Sequence, residues 1–158
     1  MIKNSLLLAV LLFVTTQLYA QNPESKINPQ YDAELAKKLG ADAYGMKKYV
    51  MAFLKEGPYR EKDPAKAAAL QKAHLKNIIR LANEGKLVIA GPFLDDQPVE
   101  GIFVFNVATI EEARELTATD PAIKAGSLIM ELRPWYASAA LVEVMAIHKK
   151  VEKKSVAD

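Results

Sequence analysis

The stretch KKYVMAFL, residues 47–54, is apolar on both parities from its third residue onward. Its β-branched and aromatic content marks it as a strand, and the double apolar parity marks a strand buried on both faces. Tyr49, Met51 and Phe53 point one way; Val50, Ala52 and Leu54 point the other. Residues 56–60 (EGPYR) form a turn. Asp63 and Pro64 then supply an N-cap followed by proline at the first helical position. That helix runs to about residue 84, and Gly85 stops it.

A second strand is expected over residues 86–93 (KLVIAGPF) and a polar loop over 94–100. The third strand, 101–107 (GIFVFNV), is again apolar on both faces, with Ile102 and Val104 opposing Phe103 and Phe105. Thr109 caps a helix over 110–117, whose first turn carries Glu111 and Glu112 where they suit the helix dipole. Asp120 and Pro121 start a short helical turn closed by Gly126. Residues 127–135 (SLIMELRPW) form the fourth strand, and Ser138 opens a C-terminal segment to about residue 150 that fits a helix better than a strand. Upstream, Asp32 caps a short helix over 33–39, Gly40 ends it, and Gly45 separates it from the first strand.

The order is β-α-β-β-α-β with an added helix at each end. This is an α+β, ferredoxin-like arrangement: one antiparallel sheet with helices on one face. A lone domain of this kind leaves the other apolar face in water. A patch that large usually marks an interface, so a two-fold homodimer with sheets face to face is expected.

The 158 residues carry 21 Lys+Arg, 19 Asp+Glu and no cysteine. Residues 1–20 have the layout of a secretory signal peptide: Lys3, an apolar run over 6–14, and Ala20 before the cleavage point. Secretion across the inner membrane, to the periplasm or beyond, is the expectation, with no stable membrane insertion after cleavage. The mature chain has a charge of +1, which argues against nucleic acid as a partner. Without cysteine there are no disulfides, thiolate chemistry or Cys-bound metals. Residues 21–45 read as a leader and pre-helix, 46–136 as the domain, and 137–158 as a C-terminal helix with a basic tail.

His74 lies within the apolar stripe of the long helix, flanked at about ±20° by Ala67 and Leu81 and at about ±40° by Leu70 and Ile78. It is either a buried, satisfied histidine or a general acid–base, the role for which imidazole is suited among side chains. The second role needs a carboxylate to fix the tautomer. Asp120 can be that carboxylate, though Asp before Pro also serves as an ordinary cap, and the two roles are compatible. Arg60, after the Gly-Pro turn, is either a clamp for an anionic substrate or a solvated loop residue. Tyr59 is a pocket wall or a loop-packing residue. Glu131 and Arg133 share one face of the last strand, as exposed rim or as cavity lining, and Trp135 is an anchor or a substrate contact. Asp95 and Asp96 read as a solvated loop, and His148 with its lysine neighbours as surface. No Gly-rich phosphate loop, GxSxG elbow or HxxxH spacing occurs, so neither metal nor cofactor is expected.

Taken in order, His74-Leu75, Ala90-Gly91-Pro92-Phe93, Gly101, Asp120-Pro121 and Ala125-Gly126 resemble the YCII-related family over residues 46–136. FLKEGP (53–58) and ELRPWY (131–136) look like a secreted bacterial branch of it. The resemblance implies a dimeric α/β barrel of ferredoxin-like subunits, with a His–Asp pair in a pocket near the dimer interface; the matching positions are His74 and Asp120. It also implies a family mostly of unknown function that includes an enzyme eliminating chloride from a chlorinated hydroxyquinol. Two readings follow. One is a cofactor-independent acid–base enzyme of elimination, lyase or isomerase type on a small organic substrate. The other is a non-catalytic periplasmic dimer that binds a small ligand or is purely structural.

Overall fold

The computed structural model describes residues 28–157. The expected signal peptide and most of the leader lie outside the described residues. The chain divides into a leading unit, Met1–Tyr31, and a unit spanning Asp32–Asp158. In the described part of the first, Tyr31 N–H donates to the Asn28 carbonyl, closing a turn.

The second unit holds α1 (Ala33–Leu39), β1 (Met46–Glu56), α2 (Pro64–Asn83), β2 (Leu87–Pro92), β3 (Val99–Phe105), α3 (Ile110–Thr117), α4 (Pro121–Lys124) and β4 (Leu128–Ser138). A 3₁₀ segment, Ala139–Glu143, and α5 (Val144–Val151) follow. The strands form one antiparallel sheet in the order β2-β3-β1-β4. This is the ferredoxin-like arrangement.

The caps act as the sequence predicts. The carboxylates of Asp32, Asp63 and Asp120 accept first-turn backbone N–H groups of α1, α2 and α4, and Thr109 forms a reciprocal capping box with Glu112. Glycine is required where β1 meets the start of β4. A Cβ on Gly57 would sit 2.0 Å from the Gly126 carbonyl oxygen, so the close approach of these two backbones admits no side chain.

Register assigns the faces. Val50 pairs with Phe105 and Pro134, Ala52 with Phe103 and Leu132, and Leu54 with Met130. These residues face α2 and α3, and all but the exposed Pro134 join Leu81, Leu87 and Ala113 in the main core. Tyr49, Met51 and Phe53 face the other way, opposite Trp135, Arg133 and Glu131.

Two expectations change. The fourth strand, with Pro134 inside it, does not stop at Trp135; it continues to Ser138, paired with β1 throughout. Because β4 is an edge strand, the absent proline N–H leaves no ladder bond unmade on a further neighbour. The second face is also not bare in a single chain. Tyr49, Val88, Val104 and Ala137 are buried there with Leu141 and Val142 of the 3₁₀ segment packed on them. The Tyr49 hydroxyl donates toward the Ser138 and Ala139 carbonyls at 3.0 and 3.3 Å, tying that segment to the sheet. No helix among the described residues is long and apolar enough to cross a membrane.

Candidate functional site

His74 sits in the middle of α2, on the stripe that packs against the sheet. Its ring stacks on Phe103 of β3, with centroids 6.0 Å apart and planes 16° apart. Asp120 is the N-cap of α4, and its Oδ1 accepts the Ala122 N–H at 2.9 Å. The same carboxylate meets His74 Nδ1 at 2.8 Å from Oδ2 and 3.0 Å from Oδ1. The two residues are 46 positions apart in sequence, and both are buried, Asp120 to 1% and His74 to 6% exposure. A buried carboxylate against Nδ1 sets the neutral imidazole as the Nδ1–H tautomer, because ionised Asp can only accept.

That leaves Nε2 with a lone pair. It makes no hydrogen bond to a described residue. Ser127 Oγ is the only sealed, unpartnered side-chain polar atom among the described residues, so Nε2 is not closed off. The pair therefore has the geometry of an oriented base: carboxylate, Nδ1–H, and a free Nε2. As Nε2 takes a proton, the imidazolium gains a charge partner at hydrogen-bond distance in a poorly solvated place.

Sequence reasoning missed Asn77. It lies one turn after His74, is 8% exposed, and donates Nδ2–H to Asp120 Oδ2 at 3.3 Å. The signal was available: residues i and i+3 share a helix face, and an asparagine beside the apolar stripe needs a polar partner once buried.

The remaining candidates are dispersed. Tyr59 N–H donates to the Gly126 carbonyl at 3.1 Å, which ties its loop to the α4–β4 turn. Its hydroxyl donates outward to Glu61 at 3.0 Å, and that contact pushes its pKa up. Arg60 gives Nε–H to Glu56 at 2.6 Å and Nη2–H to Glu100 at 3.0 Å, so two carboxylates occupy its fork. Glu131, Arg133 and Trp135 are on the sheet face opposite Phe103, so within one chain the sheet stands between them and His74. Glu131 is held there by Lys55 at 2.6 Å and by Arg133 Nε at 2.9 Å, and Arg133 covers the Phe53 ring at 5.7 Å. Trp135 packs at a tilt against Tyr49, 6.2 Å between centroids. Asp95 and Asp96 lie in an exposed loop, and His148, exposed on α5, is 3.6 Å from Glu152.

Among the described residues no group of three or more His, Cys, Asp and Glu gathers to hold a metal. An apolar cavity of about 430 Å³ lies between α2, β2 and α5, lined by Ile78, Leu87, Val88, Met145 and Val156 among others. Neither His74 nor Asp120 lines it.

Residues 49–136 match the YCII-related domain. No curated protein matches the chain. Among solved structures, it is similar to the 5-chloro-2-hydroxyhydroquinone dehydrochlorinase of Burkholderia phenoliruptrix AC1100 in complex with 2,5-dihydroxybenzoquinone. That likeness has a TM-score of 0.41 and 18% identity, covering 56% of this chain and 93% of the other. The span that matches the domain runs from β1 to β4 and holds His74, Asn77 and Asp120 alike, and the chain belongs to the YCII-related domain family.

Proposed function

We propose that the domain is a cofactor-independent acid–base enzyme of elimination, lyase or isomerase type acting on a small organic substrate. One observation carries this reading: a buried His74 with Nδ1 held by Asp120 at 2.8 Å and Nε2 without a hydrogen-bond partner among the described residues. Nε2 takes a proton from an activated C–H or O–H of the substrate. The electron pair left behind forms a new double bond and expels a leaving group, or shifts so that the proton returns to a different atom. The imidazolium then gives the proton to the leaving group, the product or water. Asp120 keeps its charge throughout and positions the ring. Such a base contributes roughly 10²–10⁴-fold, enough for a substrate whose C–H is already activated by a neighbouring carbonyl or phenol. Tyr59 and Arg60, on the loop tied to the α4–β4 turn, are assigned to the rim. An anionic substrate group would compete with Glu56 or Glu100 for the Arg60 fork.

A panel of small phenols, hydroxyquinones and carboxylic acids, screened for proton or leaving-group release, tests the proposal. His74→Gln is expected to keep the fold and lose turnover by roughly 10²-fold or more. Turnover retained in a folded His74→Gln protein overturns the enzyme. If His74→Leu also stabilises the fold while ligand binding persists, the non-catalytic reading takes its place.

We also propose that a second copy of the chain covers the part of the sheet's second face that the 3₁₀ segment leaves open. Phe53 and Ile102 are only half-buried there, and Ile129 is 49% exposed. Contiguous apolar surface of this kind supports a two-fold interface.

A further inference from the structure

Behind the His74–Asp120 pair a line of polar side chains runs along α2 to the surface. Asn77 Nδ2 donates to Asp120 Oδ2 at 3.3 Å. On its other side, Asn77 Oδ1 accepts from Arg80 Nη2 at 2.8 Å. Thr119 Oγ1 is 3.2 Å from the same oxygen, but it has one proton, and its shorter contact, 2.7 Å, is to the Leu116 carbonyl. Arg80 is therefore the donor that fixes the amide. Arg80 Nη2 also donates to Thr119 Oγ1 at 3.0 Å, and Nη1 reaches both carboxylate oxygens of Glu84 at 2.8 and 3.0 Å.

The chemistry of the two neighbours leaves one way for this amide to sit. A guanidinium only donates, so the atom facing Arg80 is the amide oxygen. An ionised carboxylate only accepts, so the atom facing Asp120 is the amide nitrogen. A leucine satisfies neither side, and an aspartate satisfies Arg80 but opposes Asp120.

We propose that Asn77 is a positioning residue for the acid–base pair. It pins Asp120 Oδ2 so that the carboxylate stays aimed at His74 Nδ1, and Arg80 locks the amide in the orientation this requires. The inference rests on the acid–base reading of His74 and Asp120. Asp120 Oδ1 is already held by the Ala122 N–H, so Asn77 is the side-chain donor that restrains the second oxygen from behind. With both oxygens restrained the imidazole proton stays on Nδ1 and Nε2 stays a base. With Oδ2 released the carboxylate can turn, and the proton partitions between the two ring nitrogens. The charged groups in this environment are Asp120 from α4 and Arg80 and Glu84 from α2, while the stacked partner from β3 is uncharged Phe103.

Ring-nitrogen chemical shifts of the full chain, read by NMR, test this without any substrate. There are two histidines, and His148 on α5 is an internal control. Wild type is expected to show His74 as the Nδ1–H tautomer, and Asp120→Asn to abolish that preference. Asn77→Leu, of similar volume, is expected to raise the Nε2–H tautomer several-fold, with His148 unmoved. Arg80→Gln, at a side chain 45% exposed, is expected to keep the fold and to move His74 in the same direction by less. If Asp120→Asn shifts His74 but a folded Asn77→Leu does not, the positioning role fails and the pair stands. If Asn77→Leu does not fold, an unmoved His74 in Arg80→Gln overturns the proposal. If wild type already lacks the Nδ1–H tautomer, the acid–base reading itself fails.

Discussion

The two faces of this sheet are made from the same four strands and covered by different means. On the first, α2 and α3 are the crossovers between strands, so chain order alone delivers a continuous lid. Val50, Ala52, Leu54, Phe103 and Phe105 are sealed beneath it. On the second, the lid is a 3₁₀ segment after the last strand, and it covers Tyr49, Val88, Val104 and Ala137 but leaves Ile129 and Trp135 exposed. A face sealed by its own crossovers can bury a His–Asp pair and hold it rigidly. A face sealed in part has room for something else.

The largest expected effect comes from breaking the sealed face. Phe103 is 2% exposed and touches both His74 and Phe105, the latter edge-on at 5.9 Å. Phe103→Ala is expected to cost about 3–5 kcal/mol in urea unfolding, since the sheet cannot collapse into the space. It also removes the stacking surface that sets the His74 ring plane. Ile129→Ala on the other face is expected to stay within about 0.5 kcal/mol in a single chain. Equal costs would mean that the second face is also interior.

The same contrast shows what the sequence could reveal. Alternation in residues 47–54 and 101–107 gave both faces, and Asp-Pro and Ser/Thr signals gave the helix starts, because these are local chemistry. The His74 stripe position was legible for the same reason. Asp120 could be named as its candidate partner but not separated from an ordinary cap until the family resemblance favoured the pair, because a contact across 46 residues depends on how α4 docks on α2. The commitments of Arg60 to Glu56 and Glu100 were illegible, since Glu100 reaches it only after β3 has paired with β1. The continuation of β4 past Trp135 to Ser138 was missed because Ser138 reads as the start of the next segment, and the pairing of Tyr136 and Ala137 with β1 is set by the register of the sheet rather than by local chemistry. The wrapping of the C-terminal segment onto Tyr49 and Val104 was missed because it depends on which side of the sheet the chain turns toward after Ser138.

Ile129→Lys sharpens the comparison at the level of assembly. In a lone chain a lysine at a half-exposed edge position is nearly neutral. In the proposed two-fold dimer it brings an unpaired charge into the interface, together with its symmetry mate. Light scattering is expected to give the mass of two chains for wild type and to show association weakened at least tenfold in the variant, with the unfolding of the domain itself little changed. A wild-type mass of one chain overturns the dimer.

The smallest expected effect is at Glu131, on the same open face. Lys55 first and Arg133 second, through hydrogen bonds and charge, hold its carboxyl down at about 2 against the ordinary 4.5. A lowered folded-state value means that the ionised form binds better in the fold than in the unfolded chain. The stabilisation is therefore fully present above pH 4.5 and is lost as pH falls through about 2. Glu131→Gln is expected to lower the urea midpoint slightly at pH 7, and the gap to wild type is expected to close between pH 4.5 and 2. Because the Glu131 side chain is 38% exposed, water screens the network, and the gap should be small beside that of Phe103→Ala and shrink further with salt. A second copy seated on this face changes that outcome in a readable way. The gap would then grow with protein concentration and resist salt, because burial removes the screening solvent from Lys55, Glu131 and Arg133 together.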